Sequence, residues 1–570
     1  MEKWVVTMKK GNFKEVAEKF GIDPVIARIL RNRDLTGDGE ISDYLYGTMD
    51  SLPSPWLLKD MDRAVSVLTE KIREKKKIRI IGDYDIDGVM STYVLLKGLT
   101  LLGADADHYI PDRIADGYGL HIPIMEKAVK DGIDTILTCD NGIAAHDEIR
   151  YAKEQGMTVV VTDHHEVPYV EEHGEKTYLL PEADAVVDPK RPDCSYPSKN
   201  ICGAVVAYKL IRALYERSGT AVGETDAFIE FIGIATVGDV MDLTGESRTI
   251  VKEALKRIPY TENTGLKALV DVCGLRDKKI TAYHIGFVLG PCINASGRID
   301  TAERALGLFL SEDSETAYKT AGDLENLNQS RKAMTEKGAG AAYEMVEKSE
   351  IGNDRVLVIY LPECHESLAG IIAGRIRERY NKPAFVLTDG EQSVKGSGRS
   401  IEAYSMYDEL VKCADLLLQF GGHPMAAGLS IAKEKIPLFR KRLNDNCTLT
   451  EEELIPRVTI DVPMPFGYVT ESLTRQLSLL EPFGKGNPRP LFAQKEVHAG
   501  DFRVYGQNRN VLRMNVRGAD GHTCAAVYFG DADALIRYSE QRQTISVTYY
   551  PEINTYRGVD SIRLVVQNYC

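Results

Sequence analysis

Three carboxylates fall within five residues at Asp83-Tyr84-Asp85-Ile86-Asp87-Gly88, and two further polar clusters follow, Asp140-Asn141-Gly142 and Asp163-His164-His165. Carboxylates packed that closely repel one another, and each is driven toward protonation unless a cation offsets its charge. Hard oxygen donors with one or two imidazoles and no thiolate suit Mg2+ or Mn2+ better than zinc. Two such ions about 3.5–4 Å apart clamp the attacking and leaving oxygens of a phosphate, so the chemistry these residues predict is phosphodiester hydrolysis. Any one of the aspartates could be a loop cap. Their recurrence at successive strand ends argues for one shared site.

The elements that must position them are legible as apolar runs. Residues 78–81 feed the first cluster, 135–139 the second and 159–162 the third, each reading as a buried strand. Helical stretches at 89–102 and 144–155 lie between, so strand, helix and strand alternate and the sheet is parallel. The clusters then emerge at its carboxyl edge, where ligands bind. Residues 313–350, rich in Glu, Ala and Lys and without Pro, predict a long connecting helix with breaks near Gly338 and Gly340. Strands at 356–360 and 384–387 around a helix at 369–380 predict a second, smaller α/β lobe, with a cleft between the lobes and the metals on one wall. Past 455, short alternating segments at 511–516, 525–529, 545–550 and 561–566 predict a small β-barrel. Tyr505, Arg509, Arg513, Tyr528 and Tyr556 are its candidates for stacking on bases and gripping phosphates. Near the N-terminus, Asp34-Leu35-Thr36-Gly37-Asp38-Gly39-Glu40-Ile41 imitates a calcium loop, but the twelfth position is Leu45, where that loop requires a bidentate Glu. It reads as an ordinary turn.

The series Asp83 to Gly88, Tyr109-Ile110-Pro111-Asp112-Arg113, Gly117-Tyr118-Gly119-Leu120, Asp140 to Gly142 and Asp163 to His165 resembles the DHH phosphoesterase superfamily, and within it the RecJ family. The likeness continues through Gly238-Asp239-Val240, Asn294-Ala295-Ser296-Gly297-Arg298, Gly396-Ser397-Gly398-Arg399-Ser400 and Phe420-Gly421-Gly422-His423. It implies an α/β fold with an N-terminal helical region (1–75), a parallel-sheet DHH domain (76–312), a connecting helix (313–353), a DHHA1 domain (354–454) and an OB-fold barrel (455–570). It also implies degradation of single-stranded DNA from the 5′ end, in recombination and repair, with two Mn2+ or Mg2+ ions. By the superfamily's pattern, Asp83 and Asp85 hold one ion, Asp87, His164 and Asp239 the other, and Asp140 bridges them. Asp242 offers a rival carboxylate to Asp239. His165 touches the scissile phosphate or helps the leaving oxygen. Arg113, Asn294 and Arg298 contact substrate, Ser397 and Arg399 recognise the 5′-terminal phosphate, and His423 contacts the strand. Two departures stand out. Cys292 occupies a position where relatives carry Arg, which predicts a phosphate contact missing or supplied elsewhere. Glu366-Ser367-Leu368-Ala369-Gly370 replaces a Pro-Gly-Val-Ile-Gly stretch.

The remaining composition bounds these expectations. At 570 residues the chain is too long for one core. A net charge of −14 counts against a non-specific, whole-surface DNA binder and leaves room for a local basic channel. Ten scattered cysteines without a Cys-x-x-Cys pair, and no leader-like segment, predict a cytoplasmic protein with reduced thiols. Cys139 and Cys202 read as buried small hydrophobes. No apolar run reaches the roughly 18–20 residues of a membrane span. A monomer is expected, with a helicase and a single-strand-binding protein as candidate partners. Two other readings are a phosphodiesterase for dinucleotides or other small nucleotide phosphates, which would not need the barrel, and a non-catalytic DNA-binding scaffold, which would not keep its carboxylates.

Overall fold

The computed structural model describes residues 2–113, 116–117, 119–172, 174–556 and 558–570; Tyr118 and the side chain of Tyr556 lie outside the described residues. Two compact units emerge. One comprises Ser54–Asp239 and Ala254–Pro456, the other Glu2–Pro53, Val240–Glu253 and Arg457–Cys570.

The first unit contains a five-stranded parallel sheet in the order Asp105–Tyr109, Lys77–Ile81, Thr135–Cys139, Thr158–Thr162, Ala185–Val187. The inner strands are apolar and buried, as a sheet covered on both faces demands. Chain order reverses beside Lys77–Ile81, whose neighbours are the next strand and the one after it. Doubly wound sheets place ligands at that switch point, and there Asp83 and Asp140 leave the sheet.

A single helix, Ser314–Lys348, follows the α-helical remainder of this region. The expected breaks near Gly338 and Gly340 do not occur. At Gly338 the missing side chain serves packing instead: a Cβ there would lie 2.5 Å from Ile372 Cδ1 on the Glu366–Tyr380 helix. That helix covers a second, mixed five-stranded sheet ordered Leu417–His423, Ala426–Ile431, Val394–Arg399, Ala384–Asp389, Leu357–Tyr360.

In the second unit, the strands Phe492–Tyr505, Val511–Arg517, Thr523–Phe529, Val559–Tyr569 and Ile545–Tyr556 pair in sequence, and the last pairs back onto the first. This closure removes the open edges and makes the OB barrel. Residues 2–53 share its core, with Ile26, Ile29 and Leu30 buried in the same cluster as Phe492, Leu512 and Tyr549. Lys3–Val6 also pairs in parallel with Arg457–Ile460. The 240–253 segment is anchored by buried Arg248, which donates to the carbonyls of Tyr44, Leu479 and Leu480 at 3.1, 2.9 and 3.0 Å.

Candidate active site

Asp83 leaves the first strand one residue after Gly82, and Asp85 caps the next helix, its Oδ1 accepting the amides of Asp87 and Gly88 at 2.9 and 3.1 Å. Asp87 is fully buried. Its two oxygens accept the Gly203 and Ala204 amides at 2.6 and 2.9 Å, at the start of the Gly203–Ser218 helix, where unpaired N–H groups favour an anion. Asp140 takes a left-handed backbone (φ 59°), a conformation Asp tolerates better than most residues. Gly203 is required beside it, because a Cβ would come within 2.8 Å of the Asp140 Cβ.

These residues converge on His164. Its Nε2 lies 3.0 Å from Asp140 Oδ1, 3.5 Å from Asp87 Oδ2 and 3.7 Å from Asp239 Oδ2. Ligand atoms group as Asp83, Asp85 and Asp140; as Asp87, His164 and Asp239; and as Asp140, His164 and His165. Asp140 thus belongs to two neighbouring groups. Asp242 falls in the other unit and pairs with Lys485 at 3.6 Å.

The electrostatics explain why a cation fits here. Burial first, and then neighbouring carboxylate charge, raises Asp140 and Asp83 well above the ordinary range, and pushes Asp239 up to about 8. Burial also lowers His164, keeping a neutral imidazole available. Asp83 Oδ1 is buried without a hydrogen-bond partner among the described residues. Such a set is unfavourable as bare anions and suits hard divalent ions.

Asp163 behaves oppositely. Burial would raise it, but the His165 hydrogen bond, the charges of both imidazoles and the Ile143 amide bring it down to about 2. Its oxygens accept the amides of Ile143, His164 and His165, and Oδ1 also lies 2.8 Å from His165 Nδ1. Asp163 therefore orients the histidine pair, a role the sequence reading did not give it. Asp188, directly after Ala185–Val187, was missed as well; it is fully buried and pushed up to about 8 by burial and the charge of Asp163. Both carboxylates were detectable as further members of the strand-end series.

Three family descriptions match in chain order: the DHH family N-terminal domain over residues 77–235, the DHHA1 domain over 353–448 and the RecJ OB domain over 460–568. The single-stranded-DNA-specific exonuclease RecJ of Escherichia coli (strain K12) is 31% identical over 572 residues, covering 96% of each chain. The chain belongs to the RecJ family. RecJ of Bacillus subtilis (strain 168) is 36% identical over 88% of this chain, which spans 63% of that relative's length. The crystal structure of Thermus thermophilus RecJ in complex with Mn2+ matches with a TM-score of 0.83 at 28% identity, covering 100% of this chain and 79% of that one. The same protein with Mg2+ matches at 0.79 and 27% identity, over 100% and 78% of the two chains. RecJ-family members are DHH phosphoesterases, metal-dependent hydrolases, and the acidic and imidazole groups described above could hold such ions.

Arg113, Arg298, Ser397 and Arg399 line a cavity of about 850 Å3 within the first unit. Tyr84, Arg113 and Arg298 form one side, and Ser367, Gly370, Arg375, Lys395, Ser397 and Arg399 the other. Five cationic side chains against Glu366 and Glu378 make it locally basic in an acidic protein. Arg113 lies over the Tyr84 ring at 4.9 Å. Arg298 donates to the Ser367 carbonyl at 2.8 Å, joining the two lobes, and burial followed by repulsion from Arg113 and Arg331 holds it down to about 10. Arg399 is lowered by burial and by Arg377 and Arg113. Cations held together in this way favour an anion among them.

Asn294, His423 and Cys292 lie outside the cavity lining. Asn294 Oδ1 accepts the Ile86 amide at 2.9 Å, so it braces the carboxylate loop. His423 is exposed at the end of its strand and does not line the cavity. Cys292 is fully buried and packs against Glu325 and Asn328, away from the cavity lining. In the barrel, Arg513 lies 5.0 Å from the exposed Tyr505 ring, Arg509 is paired with Asp533 at 2.6 Å, and Tyr528 packs on Tyr569. Cys139 and Cys202 are buried, their thiols raised by burial.

Proposed function

We infer that this chain is a single-stranded-DNA-specific exonuclease that hydrolyses phosphodiester bonds from the 5′ end, in recombination and repair. The observation that carries the reading is the adjacency of carboxylates and cavity. Tyr84, between Asp83 and Asp85 in the chain, lines the arginine-rich cavity, so a phosphate entering it comes beside the loop that carries both carboxylates. The closed barrel, a fold that binds single strands through stacking and basic side chains, favours a polymer over a dinucleotide.

In this reading two Mn2+ or Mg2+ ions are held, one by Asp83, Asp85 and Asp140, the other by Asp87, His164 and Asp239, with Asp140 shared. When bound, such ions supply Lewis acidity to the phosphate oxygens and lower the pKa of the attacking water. The protein's own groups do the rest. Asp163 fixes the His165 ring, whose charge it favours, so that His165 can hold a proton for the leaving oxygen. Arg113 and Arg298 bind and orient the scissile region, and Ser397 and Arg399 take the 5′-terminal phosphate, which gives direction. Asn294 holds the carboxylate loop in register, and His423 meets the strand further out.

The domain boundaries proposed are 1–75, 76–312, 313–353, 354–454 and 455–570. Among the described residues no helix is long and apolar enough to cross a membrane. We assign the enzyme to the cytoplasm as a monomer, supplied with substrate by a helicase and a single-strand-binding protein.

Product analysis on a single-stranded oligomer labelled at either end, beside duplex and dinucleotide controls with Mn2+ or Mg2+, tests this. Early mononucleotides from the 5′ end with the duplex spared are expected. Rapid cleavage of the dinucleotide with the oligomer intact would replace the reading with a small-substrate phosphodiesterase.

A further inference from the structure

Away from the carboxylate centre, three side chains from three helices meet at a second cluster. Cys273 caps the C-terminal end of Thr264–Val272, Cys292 lies in Gly290–Ile299 and Glu325 in Ser314–Lys348. The two sulfurs are 3.8 Å apart, and Cys292 Sγ donates to Glu325 Oε2 at 3.0 Å. All three ligand atoms lie within 4.8 Å of one another.

We propose that Cys273, Cys292 and Glu325 form a second metal site, rich in thiolate, that takes Zn2+. The separation of the sulfurs is the first argument. Two thiolates about 2.3 Å from one tetrahedral ion stand about 3.8 Å apart, which is the distance seen, whereas a disulfide needs about 2.05 Å. The Cys292–Glu325 contact is a hydrogen bond that opens by about half an ångström once an ion replaces its proton. Donor chemistry is the second argument: two sulfurs and one carboxylate select zinc over Mg2+ or Mn2+.

The surroundings complete a site. Asn328, itself 1% exposed, points Nδ2 at Cys292 Sγ and Glu325 Oε2, both at 3.3 Å, while its Oδ1 is held by Arg331 at 3.0 Å. Gln329 Nε2 engages the other Glu325 oxygen. Such outer partners fix ligand orientation. Lys332 faces Cys273 and Glu325, and Arg331 faces Cys292, so two of the cluster's three negative charges are offset when both thiols ionise. Cys273 is half-exposed and provides the entry path, with the fourth position left to water. Binding releases two thiol protons to solvent and fastens three helices together. One of them carries Asn294 and Arg298, so the ion would stiffen the wall of the substrate cavity.

Cobalt is the probe, because only a sulfur-bound Co2+ gives a near-ultraviolet charge-transfer band, and the oxygen-rich centre has no sulfur. Metal-stripped, reduced full-length protein titrated with Co2+ should develop this band with one equivalent and lose it on adding Zn2+. Asp140→Ala should keep the band, Cys273→Ser should abolish it, and Glu325→Gln should weaken cobalt binding by about tenfold or more. Circular dichroism checks that each variant is folded, and Glu325→Gln decides the matter should Cys273→Ser not fold. Absence of the band in the reduced parent, its persistence in folded Cys273→Ser, or unchanged cobalt affinity in Glu325→Gln would overturn the site. Two thiols lost to a disulfide in place of any band would make the pair a redox couple instead.

Discussion

Asp163 Oδ1 accepts the backbone amide of His165 at 3.2 Å and also lies 2.8 Å from Nδ1 of the same residue's ring. One oxygen therefore fixes both the position of the loop and the orientation of the imidazole. Replacing this carboxylate with an amide keeps the shape but removes the charge. Asp163→Asn is expected to lower turnover by about 10- to 100-fold, the range typical of residues that orient ligands and catalytic groups. Steady-state kinetics at saturating Mn2+ would check it, and parental turnover would remove Asp163 from the machinery.

The same pair predicts a pH signature in protein stripped of divalent ions. Burial opposes the charged His165 ring, but the Asp163 hydrogen bond and charge outweigh it and bring it up to about 9. A raised folded-state value stabilises fully below the ordinary value near 6.5 and fades as pH rises through about 9. Asp163, held down to about 2, contributes above its ordinary 3.8 and loses that contribution as pH falls through about 2. The gap in melting temperature between parent and Asp163→Asn should thus be widest between about pH 4 and 6.5 and shrink toward pH 9. A gap that stays constant from pH 5 to about 9.5 would contradict the ion pair.

Gly203 is the steric key to the placement of Asp140. A Cβ at this position would meet Asp140 Cβ at 2.8 Å and Asp87 Oδ2 at 3.1 Å. Gly203→Ala should destabilise the fold by about 1–3 kcal/mol, as overpacking does, and raise the Mn2+ concentration needed for half-maximal activity. Gly322→Ala serves as the contrast: nothing lies within 4 Å of its Cβ in the Ser314–Lys348 helix, and the change should stabilise by about 0.5–1 kcal/mol. An unaltered Mn2+ curve for Gly203→Ala would show that Asp140 has room to spare.

Much of this site was legible because parallel strands announce themselves as apolar runs and their polar ends share one edge. Asp140 and Asp163 each follow such a run directly, and Asp83 follows one after Gly82. What an aspartate does after leaving the strand was less legible. Asp85 and Asp163 differ little in sequence setting, yet one caps a helix and the other restrains a histidine, because different amides and rings approach them from elements far along the chain. Helical phase hid Cys292, whose side chain faces Glu325 and Asn328 and not the cavity. Long-range pairing hid the association of residues 2–53 with the barrel, since Lys3–Val6 finds its partner at Arg457–Ile460. At Gly338 the residue type was read as a helix breaker, whereas contact with Ile372 makes it a packing residue.

The end-binding role proposed for Arg399 gives the sharpest test of polarity. Its Nη1 donates to the Gly398 carbonyl at 2.8 Å and reaches Ser397 Oγ at 3.2 Å, which holds the guanidinium in the cavity beside Arg113 and Arg377. Repulsion among these cations is relieved when a phosphate enters. A hydrogen bond to a charged group contributes about 1.5–3 kcal/mol, so Arg399→Ala should reduce kcat/KM on 5′-phosphorylated oligomers by about 10- to 150-fold. Oligomers ending in a 5′-hydroxyl lack the partner and should be cut at the parental rate, so the preference between the two ends should vanish. Equal loss on both substrates would mean that Arg399 grips the strand without reading its end, and the 5′ direction would then have to come from elsewhere in the cavity.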